Sequence, residues 1–355
     1  MEPVVLALVS NERYFPGLYC AVASALSHLD AARELNLKVL DGGISQTSMD
    51  ILERLVNGFG KPVRLELLPI DESVFRGATL GPGQSHMAYC RTLLPHLLNV
   101  SRLIYLDCDV LVFRDLSELF DIELACGKVI AAVRDSETSS LAEDSRMIAD
   151  AVKVPAEGTY FNSGVMVMNL DELRRQHFFE RAVEFLNMWK ANYRFHDQSA
   201  INFLLQGQIK ELPEYWNRAS WRFDDQQNND LDCVLHYTRS APWIVETAGP
   251  AQVLFERLAA EVGLPVNRRS PLFRKSMRQR FWRSAIAPLR ALAFPIMSLC
   301  YRLIGKRDKS AAYGKVARYW LDYICKMPSR RRLHRQRSRE IIAMKFDLHT
   351  SPLTS

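Results

Sequence analysis

Short apolar runs alternate with stretches of helical spacing along the first part of the chain. The runs have the length of buried strands, and the segments between them repeat apolar residues every three or four positions. The predicted strands are residues 4–9, 38–40, 63–68 and 103–106, and the predicted helices are 16–29, 49–59 and 88–98. Strands that alternate with helices predict an α/β fold with a mostly parallel central sheet, whose ligands bind beyond the carboxyl ends of the strands.

Two carboxylates follow the last of these strands, where a ligand would bind. Asp107 and Asp109 are separated only by Cys108. If the chain turns here, both carboxylates can face one hard divalent cation, which prefers oxygen ligands. Such a metal acts as a Lewis acid and stabilises a diphosphate leaving group. The alternative is a pair of aspartates that cap a turn after the strand.

The distribution of charge divides the chain into an acidic body and a basic tail. The 355 residues are 48% apolar, enough to bury a full core, and carry a formal net charge of +6. Residues 266–340 contain 21 Lys/Arg against 3 Asp/Glu, so the remainder is acidic. We therefore expect one α/β domain over residues 1–265 and a basic, aromatic-rich helical tail over 266–355.

The cysteines and the first residues indicate an intracellular, cytoplasmic protein. The seven cysteines are scattered and form no C-x-x-C pair, so neither a disulfide framework nor a zinc site is indicated. No basic segment precedes the apolar run 4–9, which is therefore interpreted as a strand and not as a secretory signal.

Seven short segments carry distinctive polar residues in a fixed order. They include Asn-Glu-Arg-Tyr at 11–14, Tyr-Leu-Asp-Cys-Asp-Val at 105–110 and His-Asp-Gln-Ser at 196–199, and the others lie at 39–45, 89–91, 161–165 and 236–243. Together they resemble the motifs of glycosyltransferase family 8, which includes bacterial lipopolysaccharide galactosyl- and glucosyltransferases and is related to glycogenin. The resemblance covers roughly residues 4–245.

The resemblance implies a single GT-A type nucleotide-sugar-binding domain and a retaining hexosyltransferase. It implies transfer of galactose or glucose from a UDP-sugar to a saccharide acceptor, such as a lipopolysaccharide or another cell-surface glycan precursor. The metal, Mn²⁺ or Mg²⁺, would be held by Asp107, Asp109 and His236, and Asp197 and Gln198 would be the catalytic residues. The implied donor-binding residues are Asn11, Tyr14, Arg91, Asp107, Cys108, Asp109, Asn162 and Ser163.

The chemistry of the individual side chains is compatible with these roles and also with structural ones. His236 can supply a nitrogen ligand to the metal, or it can be a hydrogen-bonded core histidine. Arg91 can direct a planar guanidinium at donor phosphate or sugar hydroxyls, or it can form a surface ion pair. Asn162 can donate to and accept from sugar hydroxyls, or it can stabilise a turn.

Gln198 bears on the stereochemistry of transfer. A retaining hydrolase uses a carboxylate nucleophile, whereas an amide is a poor one. The resemblance therefore favours attack on the same face of the sugar, in which the departing UDP oxygen helps to deprotonate the acceptor. Gln198 would stabilise the developing oxocarbenium character.

The sequence departs from the family pattern at both ends of the domain. Asn11 stands where the family usually has an aspartate that contacts the uracil, and Arg239 replaces a glycine after His236. The family's lysine before Pro-Trp is replaced by Ala241. We expect Arg239 to take over as a donor-phosphate cation. These departures also leave open a catalytically degenerate protein that binds a nucleotide or a partner.

The tail combines apolar residues with arginines. Arg283, Arg290 and Arg302 interrupt the apolar stretch within 281–304, which is therefore too short to span a membrane. We expect an interfacial anchor on an anionic membrane, on the cytoplasmic face of the inner membrane, where a lipid-linked oligosaccharide acceptor would be found. The alternative is a solvated basic helix.

Two further regions allow more than one interpretation. The arginine-rich run 329–339 allows nucleic-acid binding, although the acidic body gives no support to it and no nucleic-acid partner is expected. Trp216 and Trp221 are candidates for an acceptor face, where indoles stack on sugar rings, and equally for the core.

Overall fold

The computed structural model describes most of the chain. The described residues are 2–78, 86–125, 127–190, 192–227, 230–244, 249–264, 266, 271–304 and 306–344. The predicted domain boundary at residue 265 lies outside them, and the division at this residue stays a prediction.

The described residues contain ten strands, which form two sheets. The strands are β1 Val4–Ser10, β2 Leu35–Asp41, β3 Val63–Pro69, β4 Arg102–Leu106, β5 Val110–Val112, β6 Ile130–Arg134, β7 Phe161–Asn169, β8 Ile209–Leu212, β9 Arg218–Ala219 and β10 Val234–His236. The central sheet has the order β3-β2-β1-β4-β7-β6-β8, and the small sheet has the order β5-β10-β9. In the central sheet only β7 runs antiparallel to its neighbours, which confirms the predicted mostly parallel α/β fold.

Twelve α-helices are described. They are α1 Phe15–His28, α2 Gln46–Gly58, α3 Leu94–Leu97, α4 Leu116–Phe120, α5 Leu141–Val152, α6 Leu170–Arg175, α7 Phe178–Met188, α8 Asp197–Leu204, α9 Ser220–Asp225, α10 Pro250–Glu261, α11 Pro271–Leu303 and α12 Arg307–Ala343. Local capping explains several starts: Ser45 and Asn169 each accept a backbone N–H of the first turn with the side-chain oxygen, before α2 and α6.

The centre of the sheet explains why the apolar runs are continuous. All seven residues of β1 are buried, and β1 pairs in parallel with β2 on one side and β4 on the other. A strand covered on both faces needs apolar side chains at every position, not at alternate ones. The carboxyl ends of β1 and β4 therefore meet at one edge, where Asn11 and Asp107 follow them.

The predicted helix 88–98 is wrong in type over most of its length. The structure has a 3₁₀ helix at Met87–Leu93, followed by the single turn of α3. Pro95 has no N–H and cannot donate to the carbonyl of Arg91, so the N–H of Leu94 donates to it across three residues.

The tail forms two long helices, and the second returns to the body of the protein. α12 contacts α9 and α10. Arg337 on α12 is fully buried and donates to the backbone carbonyls of Phe223, Asp224 and Gln226. Ile341 on the same helix is 0% exposed. Among the described helices, none has the length and apolarity needed to cross a membrane.

Candidate active site

Three potential metal ligands converge at the edge where β4 ends. Asp107 and Asp109 follow β4, and His236 is the last residue of β10. Their ligand atoms all lie within 4.8 Å of one another. The Nε2 atom of His236 is 3.3 Å from Asp109 Oδ1 and 3.7 Å from Asp107 Oδ2. The sequence prediction that these three residues form one group is therefore matched by their positions.

The space around this group suits a small cation. A Cβ atom at Gly164 would lie 2.2 Å from His236 Cε1 and 2.8 Å from Asp107 Oδ2, so only glycine fits beside these ligands. Burial disfavours a charged His236, but Asp109 and Asp107 outweigh it and the pKa of His236 is raised. Two carboxylates and one imidazole are a donor set that fits Mn²⁺ or Mg²⁺ through oxygen, with Mn²⁺ more tolerant of the nitrogen.

Arg91 connects the metal-ligand group to the predicted catalytic residues. Its guanidinium nitrogens lie 2.8 Å from Asp107 Oδ1 and 2.8 Å from Asp197 Oδ2, and they donate to the carbonyl and hydroxyl of Ser163. The guanidinium also lies over the ring of Tyr105, 4.8 Å from its centroid. Burial opposes the charge of Arg91, but Asp107 and Asp197 raise its pKa. The Nε–H of Arg91 donates to the carbonyl of Ala88 at 3.0 Å, so the contact with Asp197 is an ion pair without a hydrogen bond. Arg91 is a structural bridge here rather than a surface cation.

Asp197 and Gln198 lie at the first turn of α8, both almost fully buried. Burial raises the pKa of Asp197 to about 6, with Arg91 lowering it and Asp107 raising it. Gln198 accepts the backbone N–H of Ser163 at 3.0 Å with Oε1 and donates to Asp135 with Nε2 at 3.3 Å. The amide is therefore held at both ends.

Two further residues, Asp135 and Asn217, form hydrogen bonds with the predicted site residues, although they belong to no motif and were not predicted from the sequence. Asp135, directly after β6, accepts from Asn162 as well as from Gln198. Asn217, directly before β9, lies between Asn162 and His236. The position of Asp135 at a strand end could have indicated it, because strand ends carry ligands in α/β folds. Nothing in the local sequence indicates Asn217.

The remaining predicted donor residues line one cavity beside the metal-ligand group. Asn11, Tyr14, Arg91, Asp107, Cys108 and Asp109 line it. Asn11 Oδ1 already accepts the backbone N–H of Tyr14 at 3.2 Å, so it orients the turn as well as facing the cavity. Cys108 is buried, and its thiol contacts the carbonyl of Val9.

Arg239 makes its described contacts outside that cavity lining. It forms an ion pair with Glu137 at 2.5 Å and lies over the ring of Trp221, 4.4 Å from the centroid. Trp216 is only 2% exposed and belongs to the core. Of the two tryptophans considered for an acceptor face, Trp221 is the partly exposed one.

The sequence matches one family model and several curated proteins. The model of glycosyl transferase family 8 matches residues 5–244. General stress protein A of Bacillus subtilis is 32% identical over 214 residues, which are 59% of this chain and 70% of that protein. Lipopolysaccharide 1,2-glucosyltransferase of Escherichia coli is 31% identical over 157 residues, covering 41% of this chain and 45% of that protein.

A solved structure shares the fold. The galactosyltransferase LgtC, crystallised with donor and acceptor sugar analogs, aligns with a TM-score of 0.61 and 23% identity, over 72% of this chain and 95% of that chain. At this level of identity the likeness is one of fold.

Proposed function

This chain belongs to glycosyltransferase family 8, and from that premise we propose that it is a retaining hexosyltransferase using a UDP-sugar. The donor sugar is galactose or glucose, and the acceptor is a saccharide. The observation that supports this proposal most is the meeting of Asp107, Asp109 and His236 beside a cavity lined by Asn11 and Tyr14. This arrangement supports a donor diphosphate that lies between the proposed cation site and a pocket for the base.

The residues around the proposed cation site have separate roles in binding the donor and in transferring the sugar. Mn²⁺ or Mg²⁺ held by the three ligands would supply Lewis-acid stabilisation of the UDP leaving group. Arg91 holds Asp107 in place, and its second carboxylate partner, Asp197, would accept hydrogen bonds from the sugar hydroxyls. Asn162 retains one amide hydrogen beyond the one donated to Asp135, and this hydrogen is available to a sugar oxygen.

Gln198 is the catalytic amide in this proposal. Its two anchored ends leave little freedom, which suits a group that stabilises charge in the transition state without reorganising. Attack occurs on the face from which UDP leaves, and the departing UDP oxygen helps to take the acceptor proton. The anomeric configuration is retained without a covalent intermediate on Gln198.

Cys108 and Ser163 complete the donor site, and Arg239 is proposed at its rim. In the structure Arg239 is exposed and paired with Glu137, so contact with a donor phosphate requires the side chain to leave that pair. Exposed ion pairs of this kind contribute about 0–1 kcal/mol, which a phosphate contact can exceed.

The acceptor is proposed to be a lipopolysaccharide or another cell-surface glycan precursor, held at the cytoplasmic face of the inner membrane. Similarity to a lipopolysaccharide glucosyltransferase supports the acceptor class. The tail supports the location, because Leu289, Leu292, Ile296, Leu299 and Leu303 recur every three or four positions on α11 and are 57% to 78% exposed. Arg290 and Arg302 are on the same helix, and the side chain of Arg283 lies outside the described residues.

Vesicle binding tests the location. The double variant Leu292→Asp/Ile296→Asp should lose most of the sedimentation seen with anionic phosphatidylglycerol vesicles, because it charges the apolar stripe. The control Met147→Asp/Met188→Asp changes two residues on α5 and α7 that are 50% and 61% exposed, against 68% and 62% for the tail pair. Unchanged vesicle binding by the tail variant would contradict the membrane assignment and leave the enzymatic assignment intact.

Release of UDP from a panel of UDP-sugars, with and without Mn²⁺, tests the enzymatic assignment. We expect slow metal-dependent hydrolysis of one donor by the wild type, loss of it in Asp109→Ala, and no loss in Asp150→Ala, a control on the exposed side of α5. Absence of both UDP binding and UDP release in the folded wild type would favour the catalytically degenerate alternative.

A further inference from the structure

Four polar side chains form one continuous hydrogen-bonded chain that ends at the cation site. Asn162 Nδ2 donates to Asp135 Oδ2 at 3.1 Å, and Asn217 Nδ2 donates to Asn162 Oδ1 at 2.8 Å. Asn217 Oδ1 lies 2.8 Å from His236 Nδ1. The four residues come from four separate strand ends, so this chain exists only in the folded protein.

The backbone fixes the direction of the hydrogen bonds at the Asp135 end. Asp135 Oδ1 accepts the backbone N–H groups of Glu137 and Thr138, each at 2.8 Å. A carboxylate only accepts, so Asn162 must present its amide nitrogen to the other oxygen. Asn162 Oδ1 also accepts the backbone N–H of Gly164 at 3.0 Å, and this second backbone group prevents the amide from turning over.

The orientation of Asn162 in turn determines which ring nitrogen of His236 carries the hydrogen. Because Asn162 offers an oxygen to Asn217, Asn217 must donate with its nitrogen, and its own oxygen is left facing His236 Nδ1. An oxygen at this place requires a hydrogen on Nδ1. A neutral imidazole carries one N–H, so its lone pair is on Nε2, the atom 3.3 Å from Asp109 Oδ1.

We propose that Asp135, Asn162 and Asn217 are positioning residues that select the His236 tautomer able to bind the metal. The inference rests on the proposed cation site. It goes further in assigning a share in metal affinity to Asp135 and Asn217, neither of which is one of the three proposed ligands. Outer partners of a ligating histidine typically change metal affinity by about 10–100-fold when they are removed.

The substitution Asp135→Asn tests the direction of the chain at its far end. The two backbone N–H groups require an oxygen at the Oδ1 position, so the new amide nitrogen must face the nitrogens of Asn162 and Gln198. An N–H donor at residue 135 would then face two other N–H donors, and both hydrogen bonds would be lost. We expect the Kd for Mn²⁺ alone, measured from the electron paramagnetic resonance signal of free Mn²⁺, to rise about tenfold or more.

Two variants at Asn217 separate the acceptor from the packing. Asn217→Leu removes the oxygen that faces His236 and should weaken Mn²⁺ binding as strongly as Asp135→Asn. Asn217→Asp keeps an oxygen for His236 Nδ1 and should bind Mn²⁺ more tightly than Asn217→Leu. The control Glu211→Gln removes one negative charge from the neighbouring β8, at a residue paired with Arg134, and should leave the Kd unchanged.

A spectroscopic readout distinguishes tautomer selection from general loosening. In the Mg²⁺-bound wild type, long-range ¹H–¹⁵N correlations should show the His236 hydrogen on Nδ1, and Asn217→Leu should lose this state. Folded Asp135→Asn and Asn217→Leu proteins that bind Mn²⁺ as tightly as the wild type would overturn the relay while the cation site stands. A folded wild type that binds neither Mn²⁺ nor Mg²⁺ would overturn the cation site and the relay with it.

Discussion

One terminal guanidinium nitrogen of Arg91 lies 2.8 Å from Asp107 Oδ1, and the Nε atom of the same guanidinium lies 2.8 Å from Asp197 Oδ2. Without the guanidinium, the negative charges of Asp107 and Asp197 would repel each other. A planar guanidinium can form ion pairs with two carboxylates and donate to Ser163 at once, which a lysine ammonium cannot. Arg91 is thus the connection between the proposed cation site and the proposed catalytic pair.

We expect Arg91→Lys to be both inactive and less stable. One buried carboxylate would lose its partner, a change that costs about 3 kcal/mol or more. Urea unfolding and UDP release measure the two effects. The control Arg146→Lys, in an exposed pair with Glu157, should change neither quantity. Wild-type activity in Arg91→Lys would show that the bridge is not needed.

Gly164→Ala should weaken metal binding with little loss of fold. The added methyl would lie 2.2 Å from His236 and 2.8 Å from Asp107, so the ligands must separate. We expect the Kd for Mn²⁺ to rise at least about tenfold, with a near-wild-type circular dichroism spectrum. Gly314→Ala is the control, because its added methyl meets its nearest neighbour at an ordinary 3.4 Å.

Arg337→Ala should release α12 from the body of the protein. The variant removes the donor to three backbone carbonyls and the contact of its guanidinium with the Phe223 ring, 4.5 Å away. Limited trypsin digestion should cut the tail faster than in the wild type and leave the α/β domain intact. Arg335→Ala, two residues away and exposed, should be digested at the wild-type rate. Equal rates in both variants would mean that Arg337 does not hold the tail.

The sequence predicted the elements that are determined by local pattern. The strands at β1 and β4 were found because burial on both faces requires unbroken apolar residues. β2 was predicted only over residues 38–40, because the half-buried Asn36 interrupts the apolar pattern before them. The 3₁₀ helix around Arg91 escaped prediction because apolar spacing does not distinguish it from an α-helix.

The site residues that belong to sequence motifs could be predicted, whereas their contacts with residues outside the motifs could not. Asp107, Asp109 and His236 were grouped by family resemblance, and the structure brings them together. The burial of Arg91 between two carboxylates could not be inferred, because its partners are 16 and 106 positions away along the chain. Asn217 was missed for the same reason, whereas Asp135 was missed because β6, the strand before it, was not among the predicted strands.

Asp121 gives the stability of the protein a pH dependence. A hydrogen bond from Arg33 is the main cause that lowers the pKa of Asp121. A lowered pKa stabilises the fold above the unfolded pKa of about 3.9, and this contribution is lost as the pH falls through the folded pKa. Because Asp121 is 57% exposed, solvent screening limits the contribution to about 1 kcal/mol.

The corresponding measurement is the melting temperature of Asp121→Asn against the wild type. At pH 7 the variant should melt about 2 °C lower, and the difference should shrink as the pH is taken below 3.9. Glu157→Gln, whose pair with Arg146 is exposed on both sides, should show little difference at either pH. A gap that widens in acid would contradict the assignment.

The reversed direction of β7 has a consequence for how the protein assembles. Because β7 enters the edge that β4 leaves, Asn162 and Gly164 can meet Asp107 only after the middle of the sheet has closed around strands far apart in the chain. We therefore expect metal binding at the proposed site to require a folded central sheet. A cation that binds the native state alone adds RT ln(1 + [M]/Kd) to its stability, so the melting temperature in a Mn²⁺ titration becomes a measure of site integrity that needs no sugar donor.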